Sequence, residues 1–346
     1  MIREAIAHLV AGQSLSEAEA AETMEEIMTG VATPSQLGAF LTALRIKGET
    51  VEEVAGLARV MREVAVHVPL APSVHAVDTC GTGGDASGTF NVSTAAGLLV
   101  AALGVPVAKH GNRAATSRCG SADVLEALGV RLELGPEQVA QCVETAGFGF
   151  MYAPTYHPAM RHVGPTRREI GVRTVFNILG PLTNPARARY QVLGVPDPKL
   201  LRLMSEALLR LGAARALVVY GEDGVDELSL SGPTRVCEVD GASGELREYT
   251  VTPESLGCAT APREAVLGGD AQQNATLLRG LLAGTVGGAP ADIVALNAGA
   301  ALYVTGRADS LADGARQARA GLREGRGVAT LEALVATSQR LGAMVG

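Results

Sequence analysis

No uninterrupted apolar run in this sequence reaches the roughly 18 residues that a membrane-spanning helix requires, although 47% of its 346 residues are hydrophobic. The first residues, Met-Ile-Arg-Glu-Ala-Ile-Ala-His, lack the continuous apolar region of a secretory signal peptide. We therefore expect a cytoplasmic protein with no membrane partner. Its length predicts roughly two domains, each able to bury a core.

Paired cysteines are also missing. The cysteines are odd in number, scattered and without CxxC spacing: Cys80, Cys119, Cys142, Cys237 and Cys258. This pattern argues against a disulfide framework and against a zinc site, and it predicts free thiols.

The chain is poor in lysine and has no excess of positive charge. Only three of its 29 basic residues are lysines (Lys47, Lys109 and Lys199), and the net charge is −7. Affinity for anions must therefore come from a local pocket and not from a basic face, so we expect no nucleic-acid partner. Lys109 falls in a loop described below, where a compact ammonium would suit a phosphate or diphosphate.

Three common signatures are absent as well. No Gly-Lys-Ser or Gly-Lys-Thr ends a glycine loop, which excludes a Walker loop, and no glycine triplet opens a helix with dinucleotide-binding spacing. A Gly-x-Ser-x-Gly elbow is missing too, which argues against a Ser-His-Asp hydrolase.

The polar chemistry that is present concentrates in residues 76–121. The glycine-rich loop 81–85 follows a short apolar run, and its glycines allow positive φ or close approach of the backbone to a ligand. Successive N–H groups in such a loop can form an anion-binding nest, to which the next helix adds the positive end of its dipole. Asn91 is a good N-cap for that helix, and Ser93 and Thr94 place hydroxyls in its first turn. A polyanion is the expected ligand.

A second loop, residues 109–117, follows the strand-like run 105–108 and carries the cations. We expect the two loops at adjacent strand ends, as in a ligand site at the carboxyl edge of an α/β sheet. A glycine cluster alone is more often a plain turn. The hypothesis therefore depends on GTGGD, NVST and KHGNRAATS occurring together within about forty residues.

The N-terminal region predicts four helices and no strand. Ser16, Thr33 and Thr50 each begin a capping-box sequence. We expect a small all-α domain over residues 1–70 and an α/β domain over residues 74–346, joined by a proline-containing linker.

Strand and helix patterns alternate beyond residue 74, as parallel βαβ units would. The clearest strands are 105–108, 148–153, 190–195 and 216–220. Helices are predicted over 120–128, 136–146, 198–211, 269–284, 288–305 and, with breaks, 311–341. Two strands within 234–251 flank the turn 240–244 and predict an antiparallel edge. The expected fold class is α/β, with a mostly parallel central sheet flanked by helices.

These motifs resemble those of a known family. GTGGD, NVST and KHGNR in this order, RREIGVRTVFNILGPLTNP at 167–185, and Asp226-Glu227 are similar to the anthranilate phosphoribosyltransferase family, which has a nucleoside phosphorylase/phosphoribosyltransferase-like fold. The resemblance covers essentially the whole chain. It implies transfer of the phosphoribosyl group of 5-phosphoribosyl 1-diphosphate (PRPP) to the amine of anthranilate in tryptophan biosynthesis. Mg²⁺ would be the cofactor, and no dedicated catalytic acid or base would be needed.

The resemblance also implies an assembly and a set of site residues. Helices from about 158–186 would join the N-terminal domain, and the chain would form a homodimer through that domain. The implied magnesium ligands are Ser93, Asp226 and Glu227. The implied anthranilate-binding residues are Gly81, Asn112 and Arg167. The implied PRPP-binding residues are Gly81, Gly84, Asp85, Thr89, Asn91, Val92, Ser93, Thr94, Lys109, His110, Gly111, Asn112, Arg113, Ala114, Ala115, Thr116, Ser117 and Ser121.

Residue chemistry is consistent with two of these assignments. Asp226 and Glu227 suit Mg²⁺, which takes oxygen ligands and is often completed by substrate phosphates, whereas an isolated acidic pair is usually a solvated loop. The planar fork of Arg167 suits the carboxylate of anthranilate, although sequence alone could confuse it with Arg168.

Several alternatives stay open at this point. A pyrimidine nucleoside phosphorylase shares the fold class and pentose chemistry, but a different phosphate loop and no KHGNR would be expected. Some relatives of the fold look like nucleic-acid-binding proteins, against which the net charge of −7 and the acidic pair argue. His110 is expected to line the path of the aromatic substrate, and His157 is a weaker candidate.

Overall fold

The computed structural model describes residues 1–114 and 118–343. The N-terminal region forms the predicted helices: α1 (Ile2–Val10), α2 (Glu17–Met28), α3 (Pro34–Lys47) and α4 (Val51–Glu63). The capping boxes predicted at Ser16, Thr33 and Thr50 are confirmed. Each hydroxyl accepts from the backbone N–H three residues on, and that residue's side chain accepts from the N-cap N–H.

A sheet forms the centre of the rest of the described chain. Its strands are β1 (Val77–Gly81), β2 (Val107–Gly111), β3 (Phe148–Tyr152), β4 (Tyr190–Gly194), β5 (Arg215–Gly221), β6 (Thr234–Asp240) and β7 (Glu245–Val251). Their order is β3-β2-β1-β4-β5-β6-β7. Pairs among β1 to β5 are parallel, whereas β6 pairs antiparallel with β5 and β7. The predicted parallel sheet with an antiparallel edge is confirmed.

Helices cover both faces of this sheet. They are α5 (Val92–Ala102), α6 (Ser121–Ala127), α7 (Pro136–Ala146), α8 (Ala153–Tyr156), α9 (Gly164–Ile170), α10 (Phe176–Leu179), α11 (Lys199–Arg210), α12 (Ala271–Leu282), α13 (Ala289–Val304), α14 (Leu311–Arg323) and α15 (Gly327–Gly342). In the described residues, no helix combines the length and apolar character needed to cross a membrane. The five cysteines lie within the described residues and form no disulfide bond with one another.

The second strand runs further than the sequence pattern predicted. The apolar run 105–108 predicted a strand that ends before Lys109, but β2 continues to Gly111 and pairs in parallel with residues 148–152 of β3. Hydrogen bonding to a buried neighbouring strand outweighs the low strand propensity of these polar residues. Lys109 therefore lies on the sheet, and the second loop begins only at Asn112.

Residues 158–186, which we call the crossover segment, leave the sheet and pack on the helical bundle. Val163, Phe176 and Leu182 are buried in the same apolar cluster as residues of α1 to α4. The cluster continues through α11 onto one face of the sheet. The crossover segment thus lies between the bundle and the carboxyl edge of the sheet.

Glu53 is a fully buried carboxylate that joins three parts of the bundle. Its oxygens accept from the N–H of Leu15 at 2.9 Å, from the N–H of Thr50 at 2.8 Å and from Nζ of Lys47 at 3.0 Å. These partners precede α2, begin α4 and end α3 respectively. These three hydrogen bonds offset the cost of burying the carboxylate. They also hold the three junctions together.

Replacing Glu53 with alanine should lower the free energy of unfolding by about 3 kcal/mol, because it leaves a buried ammonium without its counter-charge and two backbone N–H groups without their acceptor. Gln36→Ala is the matched control, since it removes only an exposed capping-box partner and should cost about 1 kcal/mol or less. Urea denaturation followed by circular dichroism would measure both. Equal losses in the two variants would contradict the role of Glu53.

Candidate functional site

The site begins where the strand order reverses. β1 lies between β2 and β4, and the carboxyl ends at such a switch point form the usual ligand crevice of open α/β sheets. Gly81 and Gly194 are paired at the ends of β1 and β4. A Cβ on either glycine would collide with Asp226. The acidic segment can therefore lie directly against these strand ends only because both residues are glycine.

The glycine loop that follows β1 is held against this acidic segment. Gly83 and Gly84 have φ of 67° and 74°, and the N–H of Gly83 donates to Oδ2 of Asp226 at 2.9 Å. Asp85 accepts from the N–H of Ser87 at 3.1 Å. The predicted ligand residues Gly84 and Asp85 thus lie on one backbone turn beside Asp226. The predicted Thr89 lies further along the same connection to α5.

The carboxylates around the loop form an electrostatically strained group. Burial, followed by the nearby charge of Asp85, raises the pKa of Asp226 above its ordinary value. Burial, followed by the charge of Asp226, does the same to the pKa of Glu227. Oδ2 of Asp85 is buried and has no hydrogen-bond partner among the described residues. Ionising these carboxylates together is therefore costly, and a bound cation would lower that cost.

These donors fit Mg²⁺, which favours oxygen ligands and usually keeps waters or substrate phosphates in its shell. Across residues 1–114 and 118–343, no group of three or more His, Cys, Asp or Glu side chains comes together as a metal cluster. The predicted set of one hydroxyl and two carboxylates, Ser93, Asp226 and Glu227, is therefore a partial shell. A phosphorylated substrate can complete such a shell.

Lys109 is a buried cation that joins β1 to α5. Only 2% of its surface is exposed, and its Nζ donates to the carbonyl of Thr79 and, at 3.3 Å, to Oγ of Ser93. Its charge also opposes the effect of burial on Asp78, whose pKa burial raises to about 6. The sequence predicted Lys109 as an anion-binding residue. The structure places its ammonium beside the predicted metal ligand Ser93.

Asn91 occupies the predicted N-cap position of α5, although its side chain makes no capping hydrogen bond. Its Nδ2 donates to the carbonyl of Cys119 at 3.1 Å, and its Oδ1 accepts from Nδ2 of Asn274 at 3.0 Å. The side-chain amide is thus occupied by two distant segments. As a result, it does not compete for the N–H groups of the first turn.

The first turn of α5 faces the acidic pair. The backbone N–H of Ser93 is close enough to the Glu227 carboxylate to lower its pKa, against the larger opposite effect of burial. Val92 and Thr94 have buried side chains, and the Thr94 hydroxyl has no partner among the described residues. The helix start, the acidic pair and the glycine loop therefore meet at one place.

The second loop is folded onto α6. The guanidinium of Arg113 pairs with Asp123 at 3.0 Å and with both oxygens of Glu126 at 2.7 and 2.9 Å. The N–H of Ala114 also donates to Asp123, at 2.9 Å. The cation predicted to face the phosphates is thus neutralised by α6 in this structure. A PRPP contact through Arg113 or Ala114 stays a prediction.

Of the other residues predicted to bind PRPP near this loop, some pack together beside α6 and some lie outside the described residues. Ser121, at the start of α6, donates from its hydroxyl to the carbonyl of Asn112 at 3.3 Å. A Cβ on Gly111 would collide with that hydroxyl, so the three residues pack closely. The predicted ligand residues Ala115, Thr116 and Ser117 lie outside the described residues.

A cavity of about 840 Å³ lies between this sheet edge and the crossover segment. All three residues predicted for anthranilate, Gly81, Asn112 and Arg167, line it. His110 and Gly111 line it as well. Gly81 therefore belongs both to the cavity and to the glycine loop, which makes the two parts of the site continuous.

Arg167 and its neighbour Arg168 differ in how deeply they are buried. Both residues line the cavity, but Arg167 is half-buried and Arg168 is exposed. Burial lowers the pKa of the Arg167 guanidinium. Its Cζ lies 5.5 Å from the ring centroid of Phe176, and no acidic side chain of the described residues pairs with it. A partly desolvated, unpaired guanidinium is well suited to a ligand carboxylate.

His110 and His157 line the same cavity as a close pair, with ring centroids 5.0 Å apart. Burial lowers the pKa of His110 to about 3 and that of His157 to about 4. The backbone of Gly180 beside His110 and that of Thr183 beside His157 raise the pKa of the respective ring, but by less than burial lowers it. Among the described residues, both Nε2 atoms are buried without a partner. The pair is therefore neutral and offers ring nitrogens to a ligand.

Sequence reasoning missed several residues that shape this site. Asn184 donates to Asp78 at 2.7 Å and to the carbonyl of Ala108 at 2.8 Å, which fastens the crossover segment to β1 and β2. Arg173 contacts the glycine loop from the same segment. Both residues fall within the quoted stretch 167–185, but nothing in its pattern shows which partner each side chain reaches.

Both imidazoles should stay neutral between pH 8 and pH 5.5. Because the folded-state pKa values lie below the ordinary 6.5, protonation favours the unfolded chain. This contribution to stability is present above pH 6.5 and is lost as the pH falls toward about 4. NMR titration would follow the two rings, assigned through His110→Asn and His157→Asn variants. A midpoint near pH 6.5 for either ring would contradict the inferred burial.

Two family models match the chain. Residues 73–328 match a glycosyl transferase family, a/b domain, and residues 3–65 match a glycosyl transferase family, helical bundle domain. Together with the site at the sheet edge, these matches define the class of protein. It is a glycosyl transferase with a helical bundle beside an α/β sheet.

Individual relatives narrow this class. An anthranilate phosphoribosyltransferase from Chloroflexus aggregans is 57% identical over 338 residues, which is 98% of either chain. The crystal structure of the Thermus thermophilus anthranilate phosphoribosyltransferase has 50% identity and a TM-score of 0.91, covering 97% of this chain and 99% of that one. The Saccharomyces cerevisiae enzyme in complex with PRPP and Mg has 25% identity and a TM-score of 0.90, covering 98% of each chain. The chain therefore belongs to the anthranilate phosphoribosyltransferase family.

Proposed function

We infer that the chain transfers the phosphoribosyl group of PRPP to the amine of anthranilate and releases diphosphate, a step of tryptophan biosynthesis. The observation that carries this inference is the continuity of the site. A glycine loop with an acidic cluster suits a phosphorylated donor, and it shares Gly81 with a cavity that holds an unpaired arginine suited to an acceptor carboxylate. Family membership supplies the identity of the two substrates.

The donor side of the site uses Mg²⁺. We propose that Ser93, Asp226 and Glu227 hold the ion, and the raised pKa values of the two buried carboxyl groups, which a cation would lower, support this assignment. When bound, Mg²⁺ supplies positive charge that offsets the charge of the diphosphate. The glycine loop would contribute backbone N–H groups, and Lys109 a point charge, to the same phosphates.

The acceptor side requires positioning more than acid or base catalysis. The amine lone pair forms the new bond to C1 of the ribose as the bond from C1 to the diphosphate oxygen breaks, and the electron pair of that bond leaves with the diphosphate. A preorganised site that stabilises the leaving group and holds the amine in line meets this need. Rings with the low pKa of His110 and His157 are weak bases. We therefore propose that they accept hydrogen bonds from the amine, which loses its proton only after the new bond forms.

We also propose that the chain is a cytoplasmic homodimer that associates through the helical bundle. Exposed apolar side chains on that bundle support the proposal. Ile46 at the end of α3 is 81% exposed, and Val10 at the end of α1 is 74% exposed. Apolar groups of this size gain free energy when a partner surface covers them.

Anthranilate fluorescence provides the test of the reaction. Added PRPP and Mg²⁺ should abolish the signal with wild-type protein, and turnover should fall by about 100-fold or more in an Asp226→Asn/Glu227→Gln double variant, because charge on the leaving group is no longer offset. Glu222→Gln is the matched control, since it removes an exposed carboxylate from the same connection. Unchanged fluorescence with wild type would sink the acceptor assignment. Full activity in the double variant would sink the metal assignment.

Arg167→Lys should raise the KM for anthranilate by about 10-fold or more with a smaller effect on kcat, because lysine keeps the charge but loses the bidentate fork. Arg168→Lys is the matched control, because that side chain is exposed on the same helix. Its KM should stay close to the wild-type value. Steady-state kinetics with anthranilate varied at saturating PRPP would measure both, and a larger effect at Arg168 would reverse the assignment.

A further inference from the structure

The crossover segment contacts the glycine loop through Arg173. Its Nη2 donates to the carbonyl of Gly83 at 3.1 Å. Its Nη1 occupies the space that a Cβ on Gly84 would need. The guanidinium thus lies against two consecutive glycines of the loop predicted to bind the diphosphate.

This contact fixes the direction of one peptide group. The carbonyl of Gly83 and the N–H of Gly84 belong to the same planar trans peptide, so they point in opposite directions. Both glycines adopt positive φ, 67° and 74°, and glycine crosses between backbone conformations at little cost. A donor that holds the Gly83 carbonyl on one side therefore aims the Gly84 N–H to the other side.

The other contacts that hold this loop come from the α/β part of the chain. Asp226 accepts from the N–H of Gly83 at 2.9 Å. Arg263 donates to the carbonyls of Ala86 and Ser87 at 2.9 and 3.1 Å. Arg173 differs from both, because it reaches the loop from the segment that carries the acceptor site.

The short distance along the chain makes Arg173 a direct link. Arg167 lies six residues before it, in α9, and Phe176 and Asn177 lie just after it; all three line the acceptor cavity. A turn in which Asn177 Oδ1 accepts from the N–H of Thr174 at 2.9 Å keeps the following residues in place. Movement of the acceptor side would therefore be passed to the Gly83 carbonyl.

We propose that Arg173 is a positioning residue that couples the two substrate sites, by fastening the segment that binds the acceptor carboxylate to the peptide that binds the diphosphate. The inference rests on the proposed function and assigns a role to a side chain outside the predicted site residues. Arginine suits this role because its fork can donate to the carbonyl and cover the neighbouring glycine at once. Lysine offers only a point donor.

The quantity to measure is the effect of one bound substrate on the affinity for the other. A purely structural role of Arg173 would leave this effect unchanged. The probes are anthranilate, followed by its fluorescence, and inorganic diphosphate with Mg²⁺ as a donor fragment that cannot react. In wild type, diphosphate with Mg²⁺ should tighten anthranilate binding by about 10-fold, within the usual range of site coupling. In Arg173→Gln the coupling should fall below about 2-fold, while anthranilate alone binds as in wild type.

Two further variants separate coupling from simple loop ordering. Arg263→Gln also removes a cation from the loop, and it should weaken diphosphate binding while the coupling persists. Arg173→Lys should recover part of the coupling. Because Arg173 is exposed, its variants should melt within about 2 °C of wild type.

The outcomes are distinct. No coupling in wild type, full coupling in Arg173→Gln, or equal loss in Arg173→Gln and Arg263→Gln would each overturn the role of Arg173. Turnover of anthranilate by wild type is measured in the same preparations. If turnover is present while coupling survives in Arg173→Gln, only this inference fails; if turnover is absent, the proposed function fails first.

Discussion

The close contact between Asp226 and the ends of β1 and β4 is the constraint on which the rest of the site depends. Any side chain at Gly81 or Gly194 would collide with Asp226. Parallel pairing brings these two glycines side by side, so the acidic segment lies at the switch point of the sheet. Asp226 then accepts from the N–H of Gly83 and sets the course of the glycine loop. The order of the strands therefore determines where the acidic segment lies, and the acidic segment in turn determines the conformation of the glycine loop.

Charge explains why this arrangement suits a donor and a metal together. A chain with net charge −7 that also gathers Asp85, Asp226 and Glu227 would repel a free diphosphate, and the buried carboxylates are themselves costly without a partner. A divalent cation between carboxylates and phosphates offsets both costs at once. Lys109 alone cannot replace the divalent ion, because it carries a single charge that also acts on the buried carboxyl groups of Asp78 and Glu227.

Sequence reasoning reached most of the fold because capping boxes, apolar periodicity and turn residues act within a few residues of one another. It failed at β2, where pairing with the distant strand β3 carries the strand into Lys109. In the site, the motifs show residue types suited to a polyanion and a carboxylate, but not their partners. Asn91 is the N-cap residue of α5, but its side chain bonds Cys119 and Asn274. Arg113 is predicted as a phosphate ligand, and in this structure it pairs with acidic side chains of α6. Each side chain had more than one favourable partner, and only the packing of distant segments decides between them.

The division of the site between two parts of the chain follows from the reaction. The donor needs fixed dipoles and a cation, which a rigid sheet edge supplies, whereas the acceptor must enter a cavity and then be held in line with C1. The part of the chain that lets the acceptor enter must be able to move relative to the part that holds the leaving group. In the proposed site, the crossover segment forms the acceptor wall, and a few polar contacts join this segment to the sheet edge, from Asn184 to β1 and from Arg173 to the glycine loop.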